Sequence, residues 1–467
     1  METRSTEWPV VGALKEVLGA EKILLDNDVS ERYTHIWKMN IPLAARAVVL
    51  PRNTEEVATA LRICREHLQP VVLHGGLSNM VGSTETEGHE VVISLEKMNQ
   101  IEEVDTKSRT MTVQAGVVIE QIQQQAKAHG FLFPLNFGAK GSAQIGGAIS
   151  TNAGGMRVFK FGMTRQLVIG LEAVLADGTV ISSMKKIIKD NSAYDLKQLF
   201  IGSEGTLGVV TRAVLKMIEA PTSRNCALVG IDDYDKVVAF LRYMDRGLAG
   251  NLSCFELLWN EAYRTQTAPP ASVKAPLPYD YKYYVLLESL GADQQRDAQI
   301  MEAHLAKAME EGLILDAAMT HSESDLDWFF QIREDVHVMT SQCPIDQHFD
   351  ISLPIAHIGP VINQMLDEMK QIAQIDRAYA FGHVADGNIH FIIGKTVADE
   401  ALTKKINELV YSKLKPFGGS VSAEHGIGSH KKAYLHYCRS EAEIALMKTL
   451  KRSLDPLGLL NPGKVLG

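Results

Sequence analysis

Apolar residues in the first half of the chain fall in short runs separated by glycine. These runs predict strands at 46–50, 70–73, 91–94, 110–114, 168–175 and 209–217. Helical spacing replaces alternation at 55–66 and 118–129. Asp177-Gly178 between two apolar runs predicts a hairpin turn. After Ala-Pro-Thr-Ser-Arg at 220–224 the pattern changes, and strands alternate with longer amphipathic stretches at 235–244, 293–311 and 358–372. Residues 265–279, rich in Pro, Ala and Thr, read as a surface excursion, and 441–454 as a last helix ahead of Asp455-Pro456. The expectation is an α+β protein with a first domain at 1–218, a second at 219–412 and a C-terminal segment at 413–467.

Composition narrows the function classes. A chain of 467 residues with 46% hydrophobic and 22% charged residues is an ordinary globular enzyme composition. The net charge of -9 argues against nucleic acid as a partner, because neutralising phosphates takes clustered Lys and Arg. Five scattered cysteines without a CxxC pair suggest neither a disulfide framework nor a thiolate metal site, so reduced, intracellular thiols are expected. The opening residues carry no apolar leader core, and no run of ~20 apolar residues could span a bilayer. The protein is expected to be cytoplasmic, with no integral membrane segment.

Two glycine-rich clusters stand out, the first directly after an apolar β run. One runs from Leu73 to Gly82 and includes His74, Gly75, Gly76, Leu77 and Ser78; the other runs from Pro134 through Gly138, Ala139, Ser142, Gly146, Gly147 and Asn152 to Gly155 and Met156. Backbone N–H groups in such loops can converge on phosphate oxygens. Neither cluster is GxGxxG at the head of a βαβ unit, and no GxxxxGK[ST] occurs, so a non-Rossmann dinucleotide site is the remaining reading.

The chemical signal is Phe381-Gly382-His383-Val384-Ala385-Asp386-Gly387-Asn388-Ile389-His390. With Asp386-Gly387 as a two-residue turn, His383 and His390 become directly opposed across a hairpin, close enough to share one metal ion. Glu424 in Ala423-Glu424-His425-Gly426 can supply a third ligand, while His425, pointing the other way, can act as a general base. Two imidazoles and a carboxylate with open positions suit catalytic zinc, with manganese, cobalt or iron(II) as alternatives.

These motifs resemble the vanillyl-alcohol oxidase and p-cresol methylhydroxylase flavoprotein superfamily, in its D-2-hydroxyglutarate and D-lactate dehydrogenase branch. The resemblance rests on 134–178, on Ile201–Thr211 (IGSEGTLGVVT), on 383–390 and on Glu424-His425-Gly426, and it spans nearly the whole chain. It implies a two-subdomain FAD-binding domain, an α+β substrate (cap) domain with an antiparallel sheet, and a small helical C-terminal segment. By this likeness His74, Gly75, Gly76, Leu77 and Ser78 wrap the pyrophosphate of FAD. Pro134, Gly138, Ala139, Ser142, Gly146, Gly147, Asn152, Gly155, Glu204, Gly208 and Val209 line it, and Asn461 and Lys464 return to the flavin edge. Leu77 stands where covalently flavinylated members carry histidine, so the FAD is expected to be non-covalent.

The resemblance also makes His383, His390 and Glu424 metal ligands, His425 the catalytic and substrate-binding base, and Arg333 the substrate-carboxylate anchor. His348 stands at the position of a substrate-binding lysine, a departure that weakens the case for a dicarboxylate. The implied reaction is oxidation of a D-2-hydroxy acid, D-2-hydroxyglutarate first and then D-lactate or D-malate, with hydride passing to flavin. Partners follow: the small acid, an external acceptor (quinone, cytochrome or electron-transfer flavoprotein) and a second copy of the chain in a homodimer. Two other readings are an alkylglycerone-phosphate-synthase-like transferase and a flavoprotein subunit of a glycolate oxidase complex.

Overall fold

The computed structural model describes residues 8–466; residues 1–7, part of the opening segment read above as leaderless, and Gly467 lie outside the described residues. The described residues divide into two compact units, one of 8–154, 162–220 and 424–466, the other of 155–161 and 221–423. These bounds differ from the sequence expectation in two places. Residues 413–423 stay with the second unit because Ser420 and Ser352 exchange both backbone hydrogen bonds. Residues 155–161 join it because Arg157 forks onto Glu288 with two bonds of 2.9 Å.

In the first unit, β1 (Ile23–Leu24), β2 (Ala47–Val49), β3 (Val71–His74) and β4 (Val91–Ser94) form a sheet in the order β1-β2-β4-β3, with β2 and β3 both parallel to β4. The valine-rich runs that made these strands legible are buried on both faces, as parallel strands are. The helix Thr54–Glu66 starts where Asn53 accepts from the Glu56 N–H and buries Val57, Ala58, Leu61 and Cys64 against this sheet's core.

The chain continues through β5 (Ile101–Asp105), β6 (Thr110–Gln114), β7 (Phe131–Leu132), β8 (Val168–Val174), β9 (Val180–Ser183), β10 (Val209–Lys216) and β11 (Ile218–Glu219). Five of them make an antiparallel sheet in the order β5-β6-β10-β8-β9, and β11 pairs β7. The β8–β9 hairpin turns at Asp177-Gly178, with Asp177 accepting from the Thr179 N–H. The C-terminal stretch returns to this unit: Leu459 and Asn461 bond the backbone of Val71 at β3.

The second unit is a seven-stranded antiparallel sheet of β12 (Ser223–Ile231), β13 (Leu252–Trp259), β14 (Tyr283–Gly291), β15 (Asp316–Met319), β16 (Asp346–Ser352), β17 (Ile375–Gly382) and β18 (Asn388–Lys395), ordered β15-β12-β14-β13-β17-β18-β16. One face packs on the helices Tyr234–Gly247 and Glu400–Ser412, through Phe255 on Phe240 and Phe349 on Tyr411. The other face joins Cys254, Leu258, Leu286, Phe381 and Ile392 to residues of the helices Asn260–Thr267 and Glu323–Glu334 in one apolar core. That second face also carries the polar side chains described next.

Candidate functional site

The expected two-residue hairpin at Asp386-Gly387 does not form. In the observed register Phe381, not His383, stands opposite His390. The chain reverses instead through a single 3-10 turn, Val384–Asp386, closed by Gly387 at φ 90°, with the Asp386 and Asn388 N–H groups both donating to the His383 carbonyl. The cause lies in Asn388, whose amide donates to Asp350 Oδ1 and the Ile351 carbonyl and so binds it into the β16–β18 pairing. The two histidines meet all the same. Their Nε2 atoms are 3.4 Å apart and their ring planes nearly perpendicular, at 88°.

Both rings are backed by buried carboxylates. Glu256 on β13 has no solvent exposure; its Oε1 lies 2.6 Å from His383 Nδ1, and its Oε2 accepts from Arg333 Nε at 2.6 Å. Burial pushes the Glu256 carboxyl up, but His383 and Arg333 together outweigh it, and the net direction is below the usual carboxylate range. An ionised carboxylate only accepts, so His383 carries its proton on Nδ1 and turns its Nε2 toward His390. The Arg333 guanidinium, in the last turn of Glu323–Glu334, also lies over the Phe381 ring, 4.7 Å from the centroid. Asp350, equally buried, lies 3.8 Å from His390 Nδ1 and accepts from Asn388, Ser422 Oγ and the Ala423 N–H.

Glu424 and His425, the expected third ligand and base, directly follow Ala423 along the chain. His348 pairs with Asp346 at 2.8 Å and stands opposite Ile392 on β18. Glu256, Asp350 and Asn388 had been given no role from the sequence. Asn388 sits inside the 381–390 motif, and Asp350 lies two positions beyond His348. Glu256 had its own signal, one carboxylate amid the buried apolar strand Leu-Ser-Cys-Phe-Glu-Leu-Leu-Trp, where an unpaired charge is too costly to survive.

The glycine loops come together in the first unit. A Cβ on Gly76 would lie 2.1 Å from the Ser142 carbonyl, so the loop after β3 lies directly on the loop that opens the helix Ile145–Thr151. Gly138 and Gly147 face open space, with nothing within 4 Å of a Cβ. His74 Nδ1 and Gln144 Oε1, both buried beside these loops, have no hydrogen-bond partner among the described residues. Burial lowers His74 to about 4 against a hydrogen bond to the Thr84 carbonyl.

Other residues of the expected cofactor set are engaged within the protein. Glu204 accepts from Ser83 Oγ and from the Ile427 and Gly428 N–H groups. Asn461 bonds the Leu73 N–H and the Glu204 carbonyl, Gly208 abuts Phe200, and Lys464 donates to the Glu85 carbonyl. Asn152 sits in the left-handed region at φ 51° and accepts from the Arg165 N–H. Val209 is buried in β10, and Gly155 belongs to the segment of the second unit.

The fold of the chain has counterparts among solved structures. It is similar to alkyldihydroxyacetonephosphate synthase (TM-score 0.76, 15% identity, 99% of this chain and 87% of that one) and to p-cresol methylhydroxylase (TM-score 0.73, 15% identity, 98% and 96%). An FAD binding domain matches residues 45–183, and the C-terminal domain of FAD linked oxidases matches 220–465. The chain is 34% identical to the mitochondrial D-2-hydroxyglutarate dehydrogenase of Arabidopsis thaliana over 98% of its own length and 81% of that protein's. It belongs to the FAD-linked oxidases, in the branch of the D-2-hydroxyglutarate dehydrogenases.

Proposed function

We propose that the chain oxidises a D-2-hydroxy acid to the 2-oxo acid, with D-2-hydroxyglutarate the first candidate and D-lactate or D-malate next. The observation that carries this reading is the His383–His390 pair, its Nε2 atoms 3.4 Å apart and backed by a carboxylate that also holds an arginine. Two nitrogens bound at ~2.0–2.1 Å to one tetrahedral ion are separated by ~3.3 Å. The pair therefore has the spacing of one edge of a metal site. Glu424 is the proposed third ligand, continuing the segment whose Ala423 N–H is tied to Asp350. This donor set suits zinc, and manganese, cobalt or iron(II) share it. For FAD, the open faces at Gly138 and Gly147 and the orphaned polar atoms of His74 and Gln144 fit a polar cofactor held without a covalent bond.

Bound at the glycine loops, FAD would supply the hydride acceptor, and a divalent ion held by His383, His390 and Glu424 would supply Lewis acidity toward the substrate hydroxyl. Arg333, its Nε occupied by Glu256, presents its two Nη groups to the substrate carboxylate. His425 takes the hydroxyl proton as the hydride leaves. His348, paired with Asp346 at 2.8 Å, is the proposed contact for a distal substituent of the substrate. The electrons then pass to an external acceptor such as a quinone, a cytochrome or an electron-transfer flavoprotein, with the cytoplasm the proposed location. No described helix is long and apolar enough to cross a membrane.

Anaerobic reduction of the flavin by a panel of D- and L-2-hydroxy acids, before and after chelation, tests the reading. Bleaching by one D-acid, lost with chelator and restored by zinc or manganese, is the expected result. A flavin that no acid in the panel bleaches overturns it.

A further inference from the structure

We propose that Glu256 is the positioning residue that couples the metal edge to the substrate anchor, an inference that rests on the metal and hydroxy-acid reading above. One carboxylate serves two partners: Oε1 on His383 Nδ1 and Oε2 on Arg333 Nε, each at 2.6 Å, with no exposure to solvent. Its strand supplies it at the right place. Alternation along β13 sends Cys254, Glu256 and Leu258 to one face, and of these Cys254 and Leu258 lie in the apolar core. A charge there is tolerated only with both partners in place.

The consequences for each partner are distinct. The hydrogen bond at Nδ1 selects the tautomer of His383 with an Nε2 lone pair and fixes the ring's rotation, which orients a histidine ligand and raises its basicity. The bond at Arg333 Nε leaves the two Nη groups as a planar fork and stops the guanidinium rotating away from it. Since both constraints end on the same carboxylate, a shift that disturbs one ligand disturbs the other. A comparison carboxylate exists in the same unit. Glu288, opposite Cys254 on β14, is buried between Arg157, Arg224 and Ser253 but touches neither histidine nor Arg333.

The test uses the FAD-loaded full chain and reads zinc affinity by competition with a chromophoric chelator, the visible spectrum of the cobalt(II)-loaded protein, and kcat and KM separately. In Glu256→Gln zinc affinity is expected to fall about ten- to a hundredfold, with shifted cobalt bands, a raised KM and an unchanged flavin spectrum. Glu256→Asp, which keeps the charge, is expected to fall between that variant and wild type. Glu288→Gln is expected to lose thermal stability and keep wild-type zinc affinity. Unchanged zinc affinity and cobalt spectrum in Glu256→Gln, or an equal loss in Glu288→Gln, overturns the proposal while leaving the metal reading intact. If Glu256→Gln does not fold, Glu256→Asp decides, and wild-type zinc affinity there overturns it. A wild-type protein that binds no divalent ion instead sinks the underlying reading.

Discussion

In the proposed reaction Arg333 binds the substrate and His425 moves the proton, and substitutions should separate the two roles. His425→Ala is expected to lower kcat by ~10²–10⁴-fold, the range for losing a general base, with the flavin spectrum and zinc content unchanged. Stopped-flow flavin reduction measures this directly, and a kcat within threefold of wild type would remove His425 from the reaction. Arg333→Met is a different experiment, because it leaves the buried Glu256 carboxylate with the His383 N–H but without its guanidinium partner. A loss of about 3–5 kcal/mol in urea unfolding is expected, against a smaller loss for Arg333→Lys, which keeps the ion pair but forfeits the planar fork. At this scale the sequence exposed the histidines, because their spacing around a turn is local. Glu256 escaped, since its partners lie 77 and 127 positions away along the chain.

The proposed function rests on two kinds of element, the glycine loops and the histidine turn, and two glycines test which loop positions serve packing and which serve the cofactor. Gly147→Ala adds a Cβ to an exposed helical position with nothing within 4 Å. The apo protein should gain ~0.5–1 kcal/mol from helix propensity while FAD binds more weakly. Gly76→Ala drives a Cβ into the Ser142 carbonyl, so the apo protein itself should be destabilised. Thermal melts with and without added FAD separate the two cases; equal FAD affinity in Gly147→Ala and wild type would dissociate that loop from the cofactor. Most strand and helix positions were legible because apolar period identifies them, and Val91–Ser94 and Glu441–Leu454 match residue for residue. The histidine hairpin was misread in register. Asp-Gly signals a reversal, but the pairing was decided by Asn388 reaching across to Asp350.

Across the molecule, acid stability should fall in two windows, one from each unit. His74 drops to about 4 in the folded first unit because it is buried, whereas its unfolded value is near ~6.5. The unfolded chain therefore takes up a proton first, so the stabilising contribution is complete above pH ~6.5 and is lost as pH falls toward 4, up to about 3 kcal/mol. Glu288 in the second unit is lowered to about 2: burial opposes ionisation, but Arg157 and Arg224 outweigh it. Its contribution is present above pH ~4.5 and disappears as pH falls toward 2. Urea midpoints from pH 7 to 3 should decline first in the upper window, and His74→Asn should flatten that decline. A wild-type midpoint constant between pH 6.5 and 4.5 would refute the assignment to His74.

The amino-acid order alone determined the α+β class, the valine-rich strands, the two glycine clusters and the His-His and Glu-His motifs, because each is encoded within a few tens of residues by period, turn chemistry or spacing. Only tertiary structure decided which carboxylates stand behind the histidines. It also decided that the return of the chain at Leu459–Asn461 ties the C-terminal stretch to β3, and that residues 155–161 are held by Glu288 in the second unit. Those choices depend on burying a charge only where a distant partner can meet it, and the free energy of that pairing is not written in any one segment.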